Sequence, residues 1–173
     1  MGRLRRDGYR VGDVRTDVSS AQASARGHTE ESHLTDGCVF CEIAQGLSPA
    51  ECVLEDDLVL AVVDLRQFHP GHTLVMPRRH LHDVRELDLA TGAALMWAVV
   101  RITRAVGIAF PNQGLSLWHS IGEAACQEVP HLHIHVHPRI LGDGLLRVYP
   151  RPAATPDMVV LKRYADTLRA HLE

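Results

Sequence analysis

Four histidines alternate with aliphatic residues over positions 131–137, in the order His-Leu-His-Ile-His-Val-His. This period of two predicts a half-buried β-strand, on which successive side chains point to opposite faces of a sheet. The imidazoles then share one face, and the aliphatic side chains pack into the core from the other. Because imidazole titrates near neutral pH, such a row can attack an electrophile, move protons or bind a metal.

The histidine run is not typical of a tag, of a polar tail or of an ordinary core strand. A metal-binding tail or an expression tag is also rich in histidine, but this run is internal and every spacer suits a strand. Four histidines in an ordinary core strand would be costly, because each buried imidazole needs a hydrogen-bonding partner. A functional site is therefore the favoured interpretation.

Hydrophobic patterning from about Gly37 onward predicts the element order β-β-β-α-β-β-α. Because this order lacks regular βαβ alternation, we predict an α+β fold class. The expected architecture is a mainly antiparallel five-stranded sheet with one long helix and a C-terminal helix. The strands are predicted over residues 52–54, 58–63, 73–76, 115–119 and 131–137, and the helices over about 89–107 and from 155 onward, with Pro156 at the first helical position.

The 173 residues predict one domain with extensions. Residues 1–36 are polar and are predicted to form a disordered extension. A basic arm that contacts nucleic acid, or an over-extended start codon, would have the same composition. Residues 37–150 are assigned to the domain. Residues 151–173 are assigned to a linker and an amphipathic helix, whose apolar stripe is Leu161, Tyr164, Ala165, Leu168 and Leu172.

Charge and composition give little indication of a macromolecular partner. The net charge of −3 and the pI near 6.4 indicate no clear nucleic-acid or membrane partner. The longest apolar stretch, Ala93 to Val100, is shorter than the roughly 20 residues of a membrane span, which predicts a buried helix. No apolar signal-peptide core follows Met1, so we expect a cytoplasmic protein. In a reducing cytosol, Cys38 and Cys41 are more typical of a metal pair than of a disulfide.

The sequence resembles the histidine triad (HIT) family of nucleotide-binding proteins. The mark of that family is His-φ-His-φ-His-φ-φ, with φ apolar, and it falls here on His131, His133 and His135. The resemblance covers about residues 37–140 and implies a HIT-like fold. Four further segments follow the family order: Cys38–Ile43, Glu55–Asp57, Asp64–Leu65 and Pro70–His80. The first of them is similar to the zinc-containing bacterial members. Gln127, four residues before the triad, also matches the family order.

The resemblance implies an enzyme that acts at the α-phosphate of purine nucleotide derivatives as a hydrolase or transferase. A phosphoramidase and a dinucleoside polyphosphate hydrolase are the expected activities. The family places the nucleophile at His133, which would carry a covalent nucleotidyl group, since neutral imidazole is both a nucleophile and a leaving group. His131 and His135 would orient it, and His135 would donate to a nonbridging phosphate oxygen.

The family pattern also implies substrate contacts outside the triad. Asp64, with Leu65, matches the position that binds the ribose hydroxyls, and His72 matches a position near the phosphates. Gln127 is expected to stabilise charge developing on the phosphoryl group. The alternative interpretation of Asp64 is a turn former at the end of a strand, and that of His72 is an ordinary loop histidine.

Three positions depart from the family pattern. Ser120 stands where the family has asparagine, and we retain it as a candidate substrate contact. Cys126 stands at a glycine position, where a positive φ would be less favourable for cysteine. His137 occupies the last apolar position of the motif and is interpreted as a strand-end histidine, with an extra ligand or a proton carrier as the alternatives.

Zinc-containing relatives imply a structural zinc site in this chain. Cys38 and Cys41 would supply two of the four tetrahedral ligands, and His80 and His131 would supply the others. If His131 binds zinc, it cannot also be a free proton donor.

Two further functional classes remain open from the sequence. One is a non-catalytic nucleotide-binding or scaffold protein, and the other is a dinucleoside polyphosphate phosphorylase or nucleotidyltransferase. The family resemblance also implies a homodimer formed through the long helix and the adjacent strand. The buried helix of a monomer would have the same apolar pattern.

Overall fold

The structure is a computed structural model that describes residues 37–145 and 153–172. The predicted disordered extension and the start of the predicted linker lie outside the described residues. The strands are β1 (Cys52–Glu55), β2 (Val59–Val63), β3 (Thr73–Pro77), β4 (Gly114–Trp118) and β5 (Ile134–Arg139), and the α-helices are α1 (Val39–Ala44), α2 (Leu89–Ala109) and α3 (Met158–Arg169). Within the described residues, the five strands form one antiparallel sheet in the order β1-β2-β3-β5-β4, which confirms the predicted fold class.

The two faces of the sheet pack against different helices. On one face, α2 contributes Leu95, Ala98, Val99, Ile102 and Val106 to a core cluster. On the other face, Phe40 of α1 belongs to a second cluster that covers β2 and β3. The histidine segment obeys the predicted alternation between these faces. Leu132 and Val136 lie in the α2 cluster, whereas the rings of His131 and His133 contact Phe40.

The histidine strand begins later than its pattern predicts. β5 starts at Ile134 and continues through Pro138 to Arg139, paired with β3 on one side and β4 on the other. His131 and His133 therefore precede the strand, where the backbone amide of Leu132 donates to the carbonyl of Leu81. The helix α1 was not predicted, because six residues are too few to show a helical period.

The long helix α2 is only partly buried, in contrast to the buried helix that its composition predicts. Asp88 caps its start by accepting from the amide of Thr91. Its length and hydropathy alone would suit a membrane span, but its buried residues belong to the core beside the sheet. Met96 and Trp97 are 53% and 60% exposed. The outer side of α2 thus exposes two large apolar side chains to solvent.

The predicted C-terminal helix is present as α3. Asp157 is its N-cap and accepts from the amide of Val160, so Pro156 lies before the cap rather than at the first helical position as expected. The predicted apolar stripe is largely solvent-exposed, with Tyr164 and Leu168 among its exposed members.

Candidate active site and metal centre

The ring of His133 is held in one tautomer by the backbone before it. Its Nδ1 lies 2.6 Å from the carbonyl oxygen of His131. Because a carbonyl oxygen only accepts, Nδ1 must carry the hydrogen, and Nε2 of the neutral ring keeps its lone pair. Burial is the main cause that lowers the pKa of His133. The residue is thus a neutral imidazole with one nucleophilic nitrogen near physiological pH.

A chain of hydrogen bonds links His135 to the loop between β2 and β3. The Nε2 of His72 lies 2.9 Å from Nδ1 of His135, and its Nδ1 lies 3.0 Å from the carbonyl oxygen of Arg66. The carbonyl of Arg66 requires a hydrogen on Nδ1 of His72. When both rings are neutral, His135 therefore donates to His72, and Nε2 of His135 is an acceptor.

His135 lies in a stack of aromatic rings on this face. Its imidazole stacks on Trp118 with ring centroids 4.3 Å apart and on His72 at 5.1 Å. Burial is the largest cause that lowers the pKa of His135 to about 3, and the neighbouring His133 and His72 lower it further. This ring is therefore neutral near physiological pH.

The Asp64 carboxylate is nearly buried and already makes local contacts. Its Oδ1 accepts from the amide of Arg66 at 2.8 Å, which is the geometry of an Asx turn. Its Oδ2 lies 3.4 Å from Nδ1 of His72. Asp64 therefore forms the turn that its residue type predicts, and it also lies beside His72, the hydrogen-bonding partner of His135. The adjacent Leu65 is 95% exposed.

The loop before the triad is held together by Gln127. The side-chain oxygen of Gln127 accepts from the amide of Gly122, and its side-chain nitrogen donates to the carbonyl of His82. Cys126 has a φ of +61°, and it is the one non-glycine residue with positive φ in the described part of the chain. As expected, Cys126 adopts a backbone conformation that is less favourable in free energy for cysteine than for glycine. Ser120 lies two residues beyond β4 and is partly buried.

The four predicted metal ligands, Cys38, Cys41, His80 and His131, lie close together in the structure. Their ligand atoms all lie within 4.8 Å of one another. The Nδ1 of His131 is 3.4 Å from Sγ of Cys38 and 3.6 Å from Sγ of Cys41, and Nδ1 of His80 is 3.2 Å from Sγ of Cys41. Tetrahedral zinc with normal bond lengths separates a sulfur from a nitrogen ligand by about 3.6 Å. The donor set and its spacing therefore fit zinc.

His131 is fully buried and uses both ring nitrogens within the protein. Its Nδ1 faces the two thiols, and its Nε2 lies 3.0 Å from the carbonyl oxygen of Pro77. A backbone carbonyl is a usual partner for the second nitrogen of a metal-binding histidine. Burial is the main cause that lowers the pKa of His131 to about 4.

His137 lies inside β5 rather than at its end. It is 1% exposed, its Nδ1 donates to the carbonyl of Pro138, and its ring lies 4.5 Å from that of His72. Its Nε2 has no hydrogen-bonding partner among the described residues. The interpretation as a strand-end histidine is therefore wrong, since the strand continues and buries the ring against the stack.

Three residues of the site were not predicted from the sequence. Trp118 stacks on His135, and Nδ1 of His119 lies 3.0 Å from the carbonyl oxygen of His133. Arg66, on the loop after β2, forms an ion pair with Glu128, on the loop before the triad. Their proximity to the histidines depends on strand pairing and loop packing, although the position of Arg66 two residues after Asp64 was a possible signal.

Comparisons with known proteins agree with this fold and histidine arrangement. The HIT domain model matches residues 45–140. Protein hit of Bacillus subtilis is 39% identical over 118 residues, which cover 68% of this chain and 81% of the relative. Adenylylsulfatase HINT3 of Arabidopsis thaliana is 34% identical over 73% of this chain and 64% of its own length. Adenosine 5′-monophosphoramidase hnt1 of Schizosaccharomyces pombe is 31% identical over 59% of this chain and 74% of its own length.

The structural comparison leads to the same group. A crystal structure of a HIT family protein from Bacillus anthracis has a TM-score of 0.74 and 32% identity, and the match covers 80% of this chain and 99% of that one. The antiparallel sheet with a histidine run on an inner strand is thus the architecture of the histidine triad proteins. The chain belongs to the HIT family.

Proposed function

We propose that this protein is a nucleotide hydrolase or transferase that acts at the α-phosphate of purine nucleotide derivatives through a covalent nucleotidyl-histidine on His133. One observation carries the proposal. The hydrogen bond from Nδ1 of His133 to the carbonyl of His131 leaves Nε2 with its lone pair. The low pKa of the ring keeps that nitrogen unprotonated at neutral pH.

The reaction follows from this tautomer. The lone pair on Nε2 attacks the α-phosphorus, an N–P bond forms, and the bond to the leaving group breaks with its electron pair on the leaving group. The imidazole becomes a cation, and its Nδ1–H donates more strongly to the carbonyl of His131, which stabilises the charge. Water then attacks phosphorus and releases a proton to the solvent. The N–P bond breaks with its electron pair on Nε2, which restores neutral His133 and releases the nucleotide.

His135 is the proposed proton carrier. In the free protein its Nε2 is an acceptor, but an anionic phosphate beside it favours the protonated ring and raises its pKa. A proton taken up with the substrate makes Nε2 of His135 a donor to a nonbridging oxygen or to the leaving group. His72 accepts from the other nitrogen throughout. This role requires the proton to arrive with the substrate.

The remaining substrate contacts are assigned by position. Asp64 and Leu65 are proposed to hold the ribose, with Asp64 keeping its Asx turn while its second oxygen accepts from a hydroxyl. Gln127 is proposed to act by supporting the loop, because its amide bonds Gly122 and His82. Ser120 stays a candidate contact at the end of β4.

The names of two relatives support the proposed reaction class. One is an adenylylsulfatase and the other an adenosine 5′-monophosphoramidase, and both names describe cleavage of a bond to an adenylyl group. We propose adenylyl derivatives as substrates of this chain. A non-catalytic nucleotide-binding protein would share the fold but would form no adduct.

A structural zinc ion is proposed at Cys38, Cys41, His80 and His131. When bound, zinc would supply a fixed tetrahedral link between α1 and the start of the histidine segment. His131 then serves in positioning rather than in proton transfer, since both its nitrogens are directed at the thiols and at Pro77. On this basis we propose that the chain is of the zinc-containing bacterial type of the family.

A homodimer is proposed through α2 and β4. The outer side of α2 exposes Met96 and Trp97, and β4 is an edge strand of the described sheet, with Leu117 exposed. Light scattering of Trp97→Glu is expected to show a monomer, whereas Val53→Glu, a similarly exposed site on the opposite edge, should leave a dimer. A monomeric wild-type protein would contradict this assignment.

The covalent intermediate provides the test of function. Rapid-quench mass spectrometry with adenosine 5′-phosphoramidate is expected to find an acid-labile adenylyl group on the peptide that contains His133. His133→Gln should form no adduct and lose nearly all turnover while keeping AMP affinity within a few-fold. His171→Gln, on the exposed end of α3, is the control. Turnover at the wild-type rate by His133→Gln would overturn the mechanism.

A further inference from the structure

An exposed ion pair spans two loops beside the catalytic histidines. The Nη1 of Arg66, on the loop after β2, lies 2.8 Å and 3.1 Å from the two carboxylate oxygens of Glu128, on the loop before the triad. Both side chains are mostly solvent-exposed, at 72% and 65%. Exposed pairs of this kind contribute little to stability, so a ligand can open this one at small cost.

The backbone of Arg66 is built into the site even though its side chain is exposed. Its amide donates to Oδ1 of Asp64, and its carbonyl accepts from Nδ1 of His72. The Cα of Arg66 is thereby fixed beside His72, whose hydrogen bond orients His135. Only the long side chain is free to exchange Glu128 for another anion.

The charge of Arg66 reaches the ring of His135. Burial is the main cause that lowers the pKa of His135, and the positive charge of Arg66 is one of the nearby charges that lower this pKa further. Arg139, a second guanidinium that acts on this row of rings through His137, is held by two bonds to the nearly buried Asp143. Of these two cations, Arg66 has the exposed partner that an anion can replace.

The position of this cation indicates which part of the substrate it meets. His133 is 7% exposed, so the phosphoryl group that it attacks must enter deeply. In an in-line displacement the leaving group lies opposite the attacking nitrogen. The leaving group therefore projects toward solvent, and the exposed side chain of Arg66 extends from a backbone that contacts Asp64 and His72, the partner of His135.

We propose that Arg66 is a specificity-determining residue that binds an anionic leaving group in place of Glu128. The site would then favour adenylyl derivatives whose leaving group is a sulfate or phosphate over those that release a neutral amine. This inference rests on the proposed function of the same site. It adds the chemical class of the leaving group.

The test compares two substrates that differ in the leaving group. Arg66→Gln is expected to lower kcat/KM for adenosine 5′-phosphosulfate by about 10- to 100-fold, the range of a lost charge-assisted hydrogen bond. The value for adenosine 5′-phosphoramidate should change less than about 3-fold, within the weaker end of such effects. Arg66→Lys should recover part of the loss. Glu128→Gln, which removes the competing anion, should raise kcat/KM for the phosphosulfate alone.

A binding measurement separates this proposal from the proposed function. In ADP the β-phosphate stands for an anionic leaving group, so Arg66→Gln should lower the ratio of ADP to AMP affinity by about 10-fold. Arg79→Gln removes a similarly exposed ion pair with Asp88 and should leave that ratio unchanged. If the wild type turns over no substrate, the proposed function fails while this ratio still decides the role of Arg66. Equal losses for both substrates, or an unchanged affinity ratio, would overturn the proposal.

Discussion

The Nδ1 of His133 lies 2.6 Å from the carbonyl oxygen of His131. This one hydrogen bond joins the proposed metal site to the proposed nucleophile, because the ring of His131 faces Cys38 and Cys41 while its backbone orients His133. The position of the His131 backbone therefore sets both the tautomer and the direction of the attacking nitrogen. Disturbing the cysteine pair should reduce activity without altering any group that touches substrate.

Metal removal is the first prediction. Cys38→Ser should lose about one equivalent of zinc and at least about 2 kcal/mol of unfolding free energy, because metal-binding energy contributes directly to folding. Elemental analysis and urea unfolding measure the two effects. Cys52→Ser, at an exposed cysteine on β1, should retain both metal and stability. Wild-type protein that is fully folded and active without metal would contradict the prediction.

The backbone at Cys126 gives a prediction on stability. Its φ of +61° is unfavourable for a residue with a side chain, by about 1 kcal/mol. Cys126→Gly should therefore raise the unfolding free energy by up to about 1 kcal/mol, less the extra entropy of glycine in the unfolded chain. Ala125→Gly, at the neighbouring position without a positive φ, should lower it. If both variants lose stability equally, the strain is not real.

The histidine stack predicts a pH-dependent stability. The pKa of His135 is lowered to about 3 in the folded protein, so protonation favours the unfolded chain. Stability from this group is complete above about pH 6.5 and is lost as the pH falls toward 3, with a slope of at most about 1.4 kcal/mol per pH unit. In urea unfolding between pH 7.5 and 4.5, His135→Gln should lose less stability than the wild type on acidification.

The control for this pH effect is His171→Gln, since His171 is exposed on the last turn after α3. It should keep the wild-type dependence. His72, His133, His137 and Arg66 all act on His135, and they remain in every variant. Parallel curves for His135→Gln and the wild type would show that the neutral ring does not contribute.

The two roles of Asp64 can be separated by substitution. Asp64→Asn keeps an oxygen that accepts from the Arg66 amide, so the turn should survive, but it removes the charge that would hold a ribose hydroxyl. Calorimetry should show AMP affinity weakened by about 1–3 kcal/mol. Binding of 2′,3′-dideoxy-AMP should change little, and Asp57→Asn, at an exposed turn, should bind both as the wild type does. Equal AMP affinity in Asp64→Asn would remove Asp64 from the ribose site.

Much of the fold was predictable because its signals are local. The alternation of histidine with Leu132, Ile134 and Val136 decides which side chains face the core, and the structure keeps that alternation even where the strand has not yet begun. The signals for the starts of the two longer helices are equally local, in Asp88 and Asp157, although Asp157 rather than Pro156 marks the start of α3. By contrast, α1 was missed, and Met96 and Trp97 proved exposed, because burial of one helix face depends on what packs against it.

The sequence by itself determined which chemical groups are present and which face of a strand they share, since both follow from residue type and from the period of two. Only the tertiary structure decided which nitrogen of each ring is available. That choice depends on carbonyls supplied by the fold, such as those of Arg66 for His72 and of Pro77 for His131. The tertiary structure also brought Arg66 to Glu128, which lies 62 residues further along the chain. A contact between distant loops has no periodic signal, because it is set by how the strands between them pair.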